Sequence, residues 1–387
     1  MTAENSKKKK LMRAAIFYGP GNIVNEDMYC DFSNIVTSSA IRKRDVLLKV
    51  KACAVCGYDV RVYRNGHYKV VPPVVLGHEI CGETNEDIVV THTSDSDEKY
   101  STSCRITAGS RVAVLPVIPC LSCIYCRYRQ YNLCLNLKEI GSNINGGFAQ
   151  FVKIPEEVLK IGGLAPVPDN LSDEEAALLE PLACCLNGLY HMDRFIGKNQ
   201  QVSVAIIGDG PIGLIHLQLV KKMYNVNKVV IVGRISQRLQ QAQSMGATAA
   251  VTFANDEEFD QILEKTLAIT DRLGFNAIIV ATSNPIALDL ALKIASKNCC
   301  INIFAGMPQS AGRCLKIDPN FLHYNQITIT GTFSSTPFTL RKAIKIASNG
   351  IVNLSKLVTR TYHLDDIVQA IFDTENYHGL RTVINRF

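Results

Sequence analysis

Val204-Ala205-Ile206-Ile207 runs directly into Gly208-Asp209-Gly210-Pro211-Ile212-Gly213. An apolar strand-like run here meets a G-x-G-x-x-G pattern at the expected start of a helix. In that setting Gly208 makes a tight turn, Gly210 lets the backbone approach a pyrophosphate, and Gly213 allows close helix–strand packing. Pro211 suits the first helical turn, where its missing N–H costs nothing. The turn from Gly208 through Ile212 to Gly213 would hold phosphates with the free N–H groups and dipole of the helix amino terminus. Alone the pattern is weak, but further apolar runs at 228–232, 249–253, 277–280, 300–304 and 327–330 follow it. Helical patterns at 236–245, 256–268 and 285–295 separate them. Short apolar strands interleaved with helices predict an α/β fold, a doubly wound parallel sheet of Rossmann type over residues 182–331.

The end of the second strand carries information about the ligand. A ribose with a free 2′-hydroxyl is read by an Asp or Glu about 20 residues beyond the glycines. This chain has Val232-Gly233-Arg234-Ile235-Ser236-Gln237-Arg238 there, without a carboxylate. The expectation is that Gly233 leaves room for a 2′-phosphate and that Arg234 and Arg238 pair with it. The alternative makes both ordinary solvated arginines, although a basic residue at a helix amino terminus opposes the dipole. NADP is therefore the expected cofactor, with NAD as the other possibility.

Before residue 182 the pattern changes to strands. Runs at 45–51, 111–116 and 147–154 read as an all-β domain, and the polar stretch 83–108 reads as an exposed loop or hairpin. Ser172 and Glu175 form a capping box ahead of an Ala/Leu-rich helix. The tail has helical patterns at 339–347 and 365–372 and a strand-like 381–384, and is expected to return to the first domain. Within the β-rich part, Cys120, Cys123, Cys126 and Cys134 fall at a spacing that suits one tetrahedral zinc in a closed, structural site. Three other pieces, Cys56-Gly57-Tyr58-Asp59, Gly77-His78-Glu79 and Leu179-Glu180-Pro181-Leu182, can make a second, open metal site.

Composition excludes little but excludes it clearly. The 387 residues carry 41 Lys+Arg against 35 Asp+Glu, a formal charge of +6 that is spread thinly and does not demand nucleic acid. The densest basic run, Lys7 to Lys10, reads as a solvated flexible tail with no apolar stretch behind it for a signal peptide or a membrane span. Cys30, Cys53, Cys81, Cys104, Cys299, Cys300 and Cys314 default to free thiols, and a reducing cytoplasm is the expected compartment.

Taken together, the motifs resemble the zinc-containing medium-chain dehydrogenase/reductases, the alcohol dehydrogenase superfamily, in the branch of polyol (sorbitol) and threonine dehydrogenases. The likeness runs from Met12-Arg13-Ala14 through G-H-E, the four-cysteine lobe, Gly146-Gly147-Phe148-Ala149, E-P-L and the nucleotide fold to Leu380-Arg381-Thr382-Val383. It implies a GroES-like β-barrel catalytic domain over 1–181 and 332–387. It implies two zinc ions per chain, a small-molecule alcohol or ketone substrate, and a homodimer or homotetramer. Cys56, His78 and Glu79 become direct ligands of a catalytic zinc, Glu180 stands where a third-ligand cysteine is found, and Asp59 orients the His78 ring. Arg381 resembles an arginine that reaches the cofactor pyrophosphate, a surface ion pair being the alternative. The family's Ser or Thr of a proton relay is Tyr58, and its relay histidine is Arg61. The Arg-Tyr pair that holds polyol hydroxyls in sorbitol dehydrogenases corresponds to Ser334-Ser335, which argues against sorbitol itself. The competing functions are a catalytically retired binding protein of the same fold and a zinc-lobed nucleic-acid-binding protein.

Overall fold

The parallel sheet has six strands in the order Ala249–Thr252, Val226–Gly233, Val202–Ile207, Phe275–Val280, Ala295–Ile303, Thr328–Gly331, every neighbouring pair parallel. This computed structural model describes residues 9–31, 45–93, 101–197, 202–253, 259–307 and 317–387. The strand Val202–Ile207 is buried at every residue except Ser203, as a strand covered on both faces must be. Its Val and Ile side chains each contribute about 1.5–3 kcal/mol by leaving water. The strand order reverses beside Val202–Ile207, so the glycine turn lies at the switch point, where doubly wound sheets bind ligands.

The described residues fall into two compact units. One takes residues up to Ala183 together with Ser335–Asn349 and Leu354–Phe387; the other takes Cys184–Ser334 with Gly350–Asn353. Residues 350–353, expected in the first domain, belong to the second because the Asn353 N–H donates to Gln218 Oε1 at 2.8 Å.

The first unit is built on a seven-stranded sheet in which Glu79–Thr84, Val46–Ala54 and Arg381–Arg386 are successive neighbours. The carboxyl-terminal strand thus returns to the first unit, with Val383 opposite Ala54 and Ile384 opposite Cys53. The all-β expectation is corrected at Gly57–Asn65, an α-helix, and at the shorter helices Ile124–Arg127 and Glu156–Lys160. In Gly57–Asn65 the Val60-x-Val62-Tyr63 sequence favours a strand by propensity. Burial of Asp59, Val62 and Tyr63 at helical spacing, and the Cys56 N–H donating to Asp59 Oδ2 at 2.9 Å, override that preference. The Ser172–Glu175 capping box is present, with Ser172 N–H to Glu175 Oε2 at 2.9 Å and Glu175 N–H to Ser172 Oγ at 3.2 Å.

The polar stretch 83–108 contains a hairpin, Ile88–Thr93 against Ser101–Ile106, whose residues 94–100 lie outside the described residues. The basic run is divided: Lys9 and Lys10 open the strand Lys9–Gly19 rather than lying in a flexible tail, while Lys7 and Lys8 lie outside the described residues, as does Cys314. Cys53, Cys81, Cys104, Cys299 and Cys300 are free thiols. Among the described residues no helix is long and apolar enough to cross a membrane.

Candidate metal centres and dinucleotide turn

Three metal-donating side chains converge at the ends of two inner strands of the first unit's sheet. Cys56 caps the helix Gly57–Asn65, directly after the strand Val46–Ala54, and Glu79 pairs with Ala54 in the next strand. Between them the chain makes a turn at Gly77, with φ +90°, where a Cβ would stand 2.8 Å from Cys53 Sγ and 2.9 Å from Phe148 Cδ1. A glycine is the residue that fits there. The ligand atoms of Cys56, His78 and Glu79 all lie within 4.8 Å of one another. Zinc with bonds of about 2.0–2.3 Å keeps its ligand atoms within roughly 3–4.5 Å, so a thiolate, an imidazole and a carboxylate so placed fit that ion. Both Glu79 carboxylate oxygens are buried; Oε1 faces Arg381, and Oε2 has no hydrogen-bond partner among the described residues, which leaves its lone pairs for a cation.

Charged neighbours complete this centre. Asp59 is fully buried, with Oδ1 3.6 Å from His78 Nδ1. Arg381 Nη2 lies 2.9 Å from Glu79 Oε1, and its Nη1 donates to the Val55 carbonyl at 3.1 Å. The surface ion pair considered for Arg381 is therefore corrected: arginine and carboxylate are both buried, 4% and 1% exposed. Burial opposes the charge on His78, but the Asp59 carboxylate and the Cys56 thiol outweigh it and raise its pKa well above the ordinary value. Burial also resists ionisation of Cys56, yet His78 and Arg381 bring that thiol down to about 7. Burial drives Glu79 well above the usual carboxylate range against the pull of Arg381. Glu180, in the first turn of the helix Leu179–Tyr190, is buried and its charge acts on Glu79 and Arg381. Its carboxylate is not among the donors that gather within 4.8 Å.

Beside the centre stands a hydroxyl chain that the sequence reading identified in part. Tyr58 packs edge-on to His78 with ring centroids 5.8 Å apart. Its hydroxyl lies 2.9 Å from Ser142 Oγ and 3.2 Å from His67 Nδ1. The Lys69 N–H donates to the same His67 nitrogen at 3.3 Å, so Nδ1 is an acceptor and the Tyr58 O–H donates to it. Neither His67 nor Ser142 has a motif to announce it. Arg61, at the family's relay position, is exposed.

The second group is closed. Cys120, Cys123, Cys126 and Cys134 gather around one point, with Sγ separations of 4.0 Å for Cys120–Cys126, 3.5 Å for Cys123–Cys126 and 3.9 Å for Cys123–Cys134. Backbone N–H groups point at the sulfurs, Cys123 to Cys120 at 3.4 Å and Cys120 to Cys134 at 3.1 Å. The Ser122 hydroxyl and neighbouring N–H groups lower Cys120 to about 5, whereas burial lifts Cys126 to about 12. Four sulfurs with this support suit a tetrahedral zinc with no open position.

In the other unit, Gly208 has φ +129°, and a Cβ at Gly213 would lie 1.9 Å from the Gly208 carbonyl oxygen. The turn and the helix Pro211–Met223 can therefore close only on glycines, with Gly210 as helix cap, Pro211 and Ile212 in the first turn, and open space beside Gly210. The vacancy expected at Gly233 is not there. A Cβ on Gly233 would lie 2.4 Å from Asp209 Cβ and 2.7 Å from Asp209 Oδ2. Asp209, to which the sequence reading gave no role, fills the place. Arg234 is exposed, but Arg238 is buried at 7% exposure in the helix Ser236–Ser244, not held out in solvent.

The chain is similar to known proteins over most of its length. A family model described as the alcohol dehydrogenase GroES-like domain matches residues 42–168, and one described as zinc-binding dehydrogenase matches 211–349. The chain is 30% identical over 335 residues to a sorbitol dehydrogenase of Bacillus subtilis, covering 86% of each. It is 29% identical over 321 residues to a D-arabitol-phosphate dehydrogenase of Enterococcus avium, covering 83% of this chain and 84% of the relative. A structure described as a zinc-binding dehydrogenase from Sinorhizobium meliloti, bound to NADP, superposes with a TM-score of 0.78 at 26% identity, covering 97% of this chain and 99% of that one.

Proposed function

The chain belongs to the zinc-type alcohol dehydrogenases of the medium-chain dehydrogenase/reductase superfamily, and from that premise we propose that it passes a hydride between a nicotinamide dinucleotide and a secondary alcohol or ketone of polyol, cyclitol or amino-alcohol type. The observation that carries this reading is the convergence of Cys56, His78 and Glu79, with the Tyr58 ring packed against His78. An open site of three protein ligands leaves a position for substrate or water. Zinc held there would polarise the substrate oxygen as a Lewis acid, and the nicotinamide would take or give the hydride.

The chain's own groups orient and move the proton. Asp59 Oδ1 faces His78 Nδ1 and would hold the ring, leaving Nε2 for a zinc ion. Arg381 keeps Glu79 in place, and Glu180 adds negative charge behind it. In alcohol oxidation the substrate hydroxyl proton passes to the Tyr58 oxygen as the Tyr58 O–H gives its proton to His67 Nδ1; reduction runs the path in reverse. Burial raises the Tyr58 pKa, which keeps the phenol protonated between turnovers. Ser334-Ser335 in place of an Arg-Tyr pair favours a substrate other than sorbitol.

The four-cysteine lobe takes the second zinc. Metal analysis should give about two zinc ions per chain. A panel of polyols, cyclitols, amino alcohols and sugar phosphates, followed by nicotinamide absorbance with both dinucleotides, should yield turnover. Two bound zinc ions with no turnover on any class in either direction would favour the retired relative.

A further inference from the structure

Asp209 does more than fill space. Its Oδ2 accepts the N–H of Arg234 at 2.8 Å and of Ile235 at 2.7 Å. These residues directly follow Gly233, the last residue of the strand Val226–Gly233. The end of that strand is where nucleotide folds of this kind present the acid that reads the adenosine ribose. Position 233 has no side chain, and the volume one would fill holds the Asp209 Cβ, Cγ and Oδ2, at 2.4, 2.5 and 2.7 Å from an ideal Cβ. A carboxylate therefore stands at the ribose-reading place, delivered from the neighbouring glycine turn instead of from the second strand.

We propose that Asp209 is the ribose-reading residue of this chain and selects the dinucleotide with a free 2′-hydroxyl, NAD, over the 2′-phosphorylated NADP. The inference rests on the dinucleotide-binding reading above and reverses the preference expected from Arg234 and Arg238. The geometry opposes a 2′-phosphate twice. Two backbone N–H groups that could cradle it already serve Asp209, and the carboxylate they fix repels a second anion. A ribose hydroxyl, by contrast, is a donor that a carboxylate accepts. Of the two arginines only Arg234 is exposed to offset that repulsion.

The test is the affinity of the full-length, zinc-loaded protein for NADH and for NADPH, measured by the fluorescence of the bound reduced nicotinamide. The parent should bind NADH at least about tenfold more tightly, a difference of about 1.4 kcal/mol. Asp209→Asn keeps an oxygen for the Arg234 and Ile235 N–H groups but removes the charge, and should bring the ratio toward one mainly by tightening NADPH. Asp209→Gly combined with Gly233→Asp removes the three crowding atoms and returns a carboxylate to the second strand; it should restore the NADH preference. Equal binding of both dinucleotides, tighter binding of NADPH, or an Asp209→Asn ratio identical to the parent's overturns the assignment while leaving dinucleotide binding intact. If the parent binds neither, the dinucleotide reading falls and this inference with it.

Discussion

In the proposed path the proton leaves the centre through a phenol, that of Tyr58. Tyr58 reaches His67, nine positions later, in a loop that no motif marks. Burial first, then the charges of Lys69 and Arg61, lower the His67 pKa below the ordinary histidine value, so the ring stays neutral and able to accept a proton at neutral pH. Its contribution is lost when it protonates, so the acid limb of alcohol oxidation should lie below the ordinary histidine value. His67→Phe should abolish that limb and lower kcat by roughly a hundredfold with little change in KM. An unchanged pH profile would show that the proton leaves by another route. Tyr58 was legible because it departs from a pattern next to a ligand cysteine. His67 was not, because its contact exists only once the loop after Gly57–Asn65 folds back.

Single elements divide in the same way. The glycine turn and the helix Pro211–Met223 could be read from ten consecutive residues, since both the turn chemistry and the helix start are local. The pairing of Asp209 with Gly233 could not, because it joins two strands that become neighbours only in the sheet. That helix also carries a cost. His216 is fully buried, neither ring nitrogen has a hydrogen-bond partner among the described residues, and its ring meets Phe304 edge-on at 4.8 Å. Burial lowers its pKa to about 3. Below about pH 6.5 the unfolded chain binds a proton there that the folded chain refuses, so stability is full above that pH and falls by up to about 1.4 kcal/mol per unit as pH drops toward the folded value. His216→Met should flatten the urea midpoint between about pH 7 and 5; a slope equal to the parent's would show that other groups set it. In the cysteine lobe, Cys126→Ser should reduce the zinc content from about two ions to about one per chain and lower Tm. Full zinc with parental melting would remove the lobe from the list of metal sites.

At the scale of the whole molecule, the two kinds of chemistry are built by different units. Cys56, His78, Glu79 and Arg381 all belong to the first, and Arg381 reaches it because the strand Arg381–Arg386 pairs beside Val46–Ala54. The first hundred residues supply the metal donors, while the last few hold the carboxylate among them in place. The glycine turn, Asp209 and Gly233 belong wholly to the second unit. Damage to one unit's chemistry should therefore leave the other's binding measurable. His78→Ala removes an imidazole donor and the partner that lowers the Cys56 pKa, and should reduce turnover by at least about a thousandfold. The same variant should bind reduced dinucleotide within about twofold of the parent, since none of its ligands changes. Substantial turnover of His78→Ala in metal-free buffer would show that the Cys56, His78 and Glu79 centre is not where the reaction occurs. Loss of dinucleotide affinity together with turnover would instead show that the two units are energetically one.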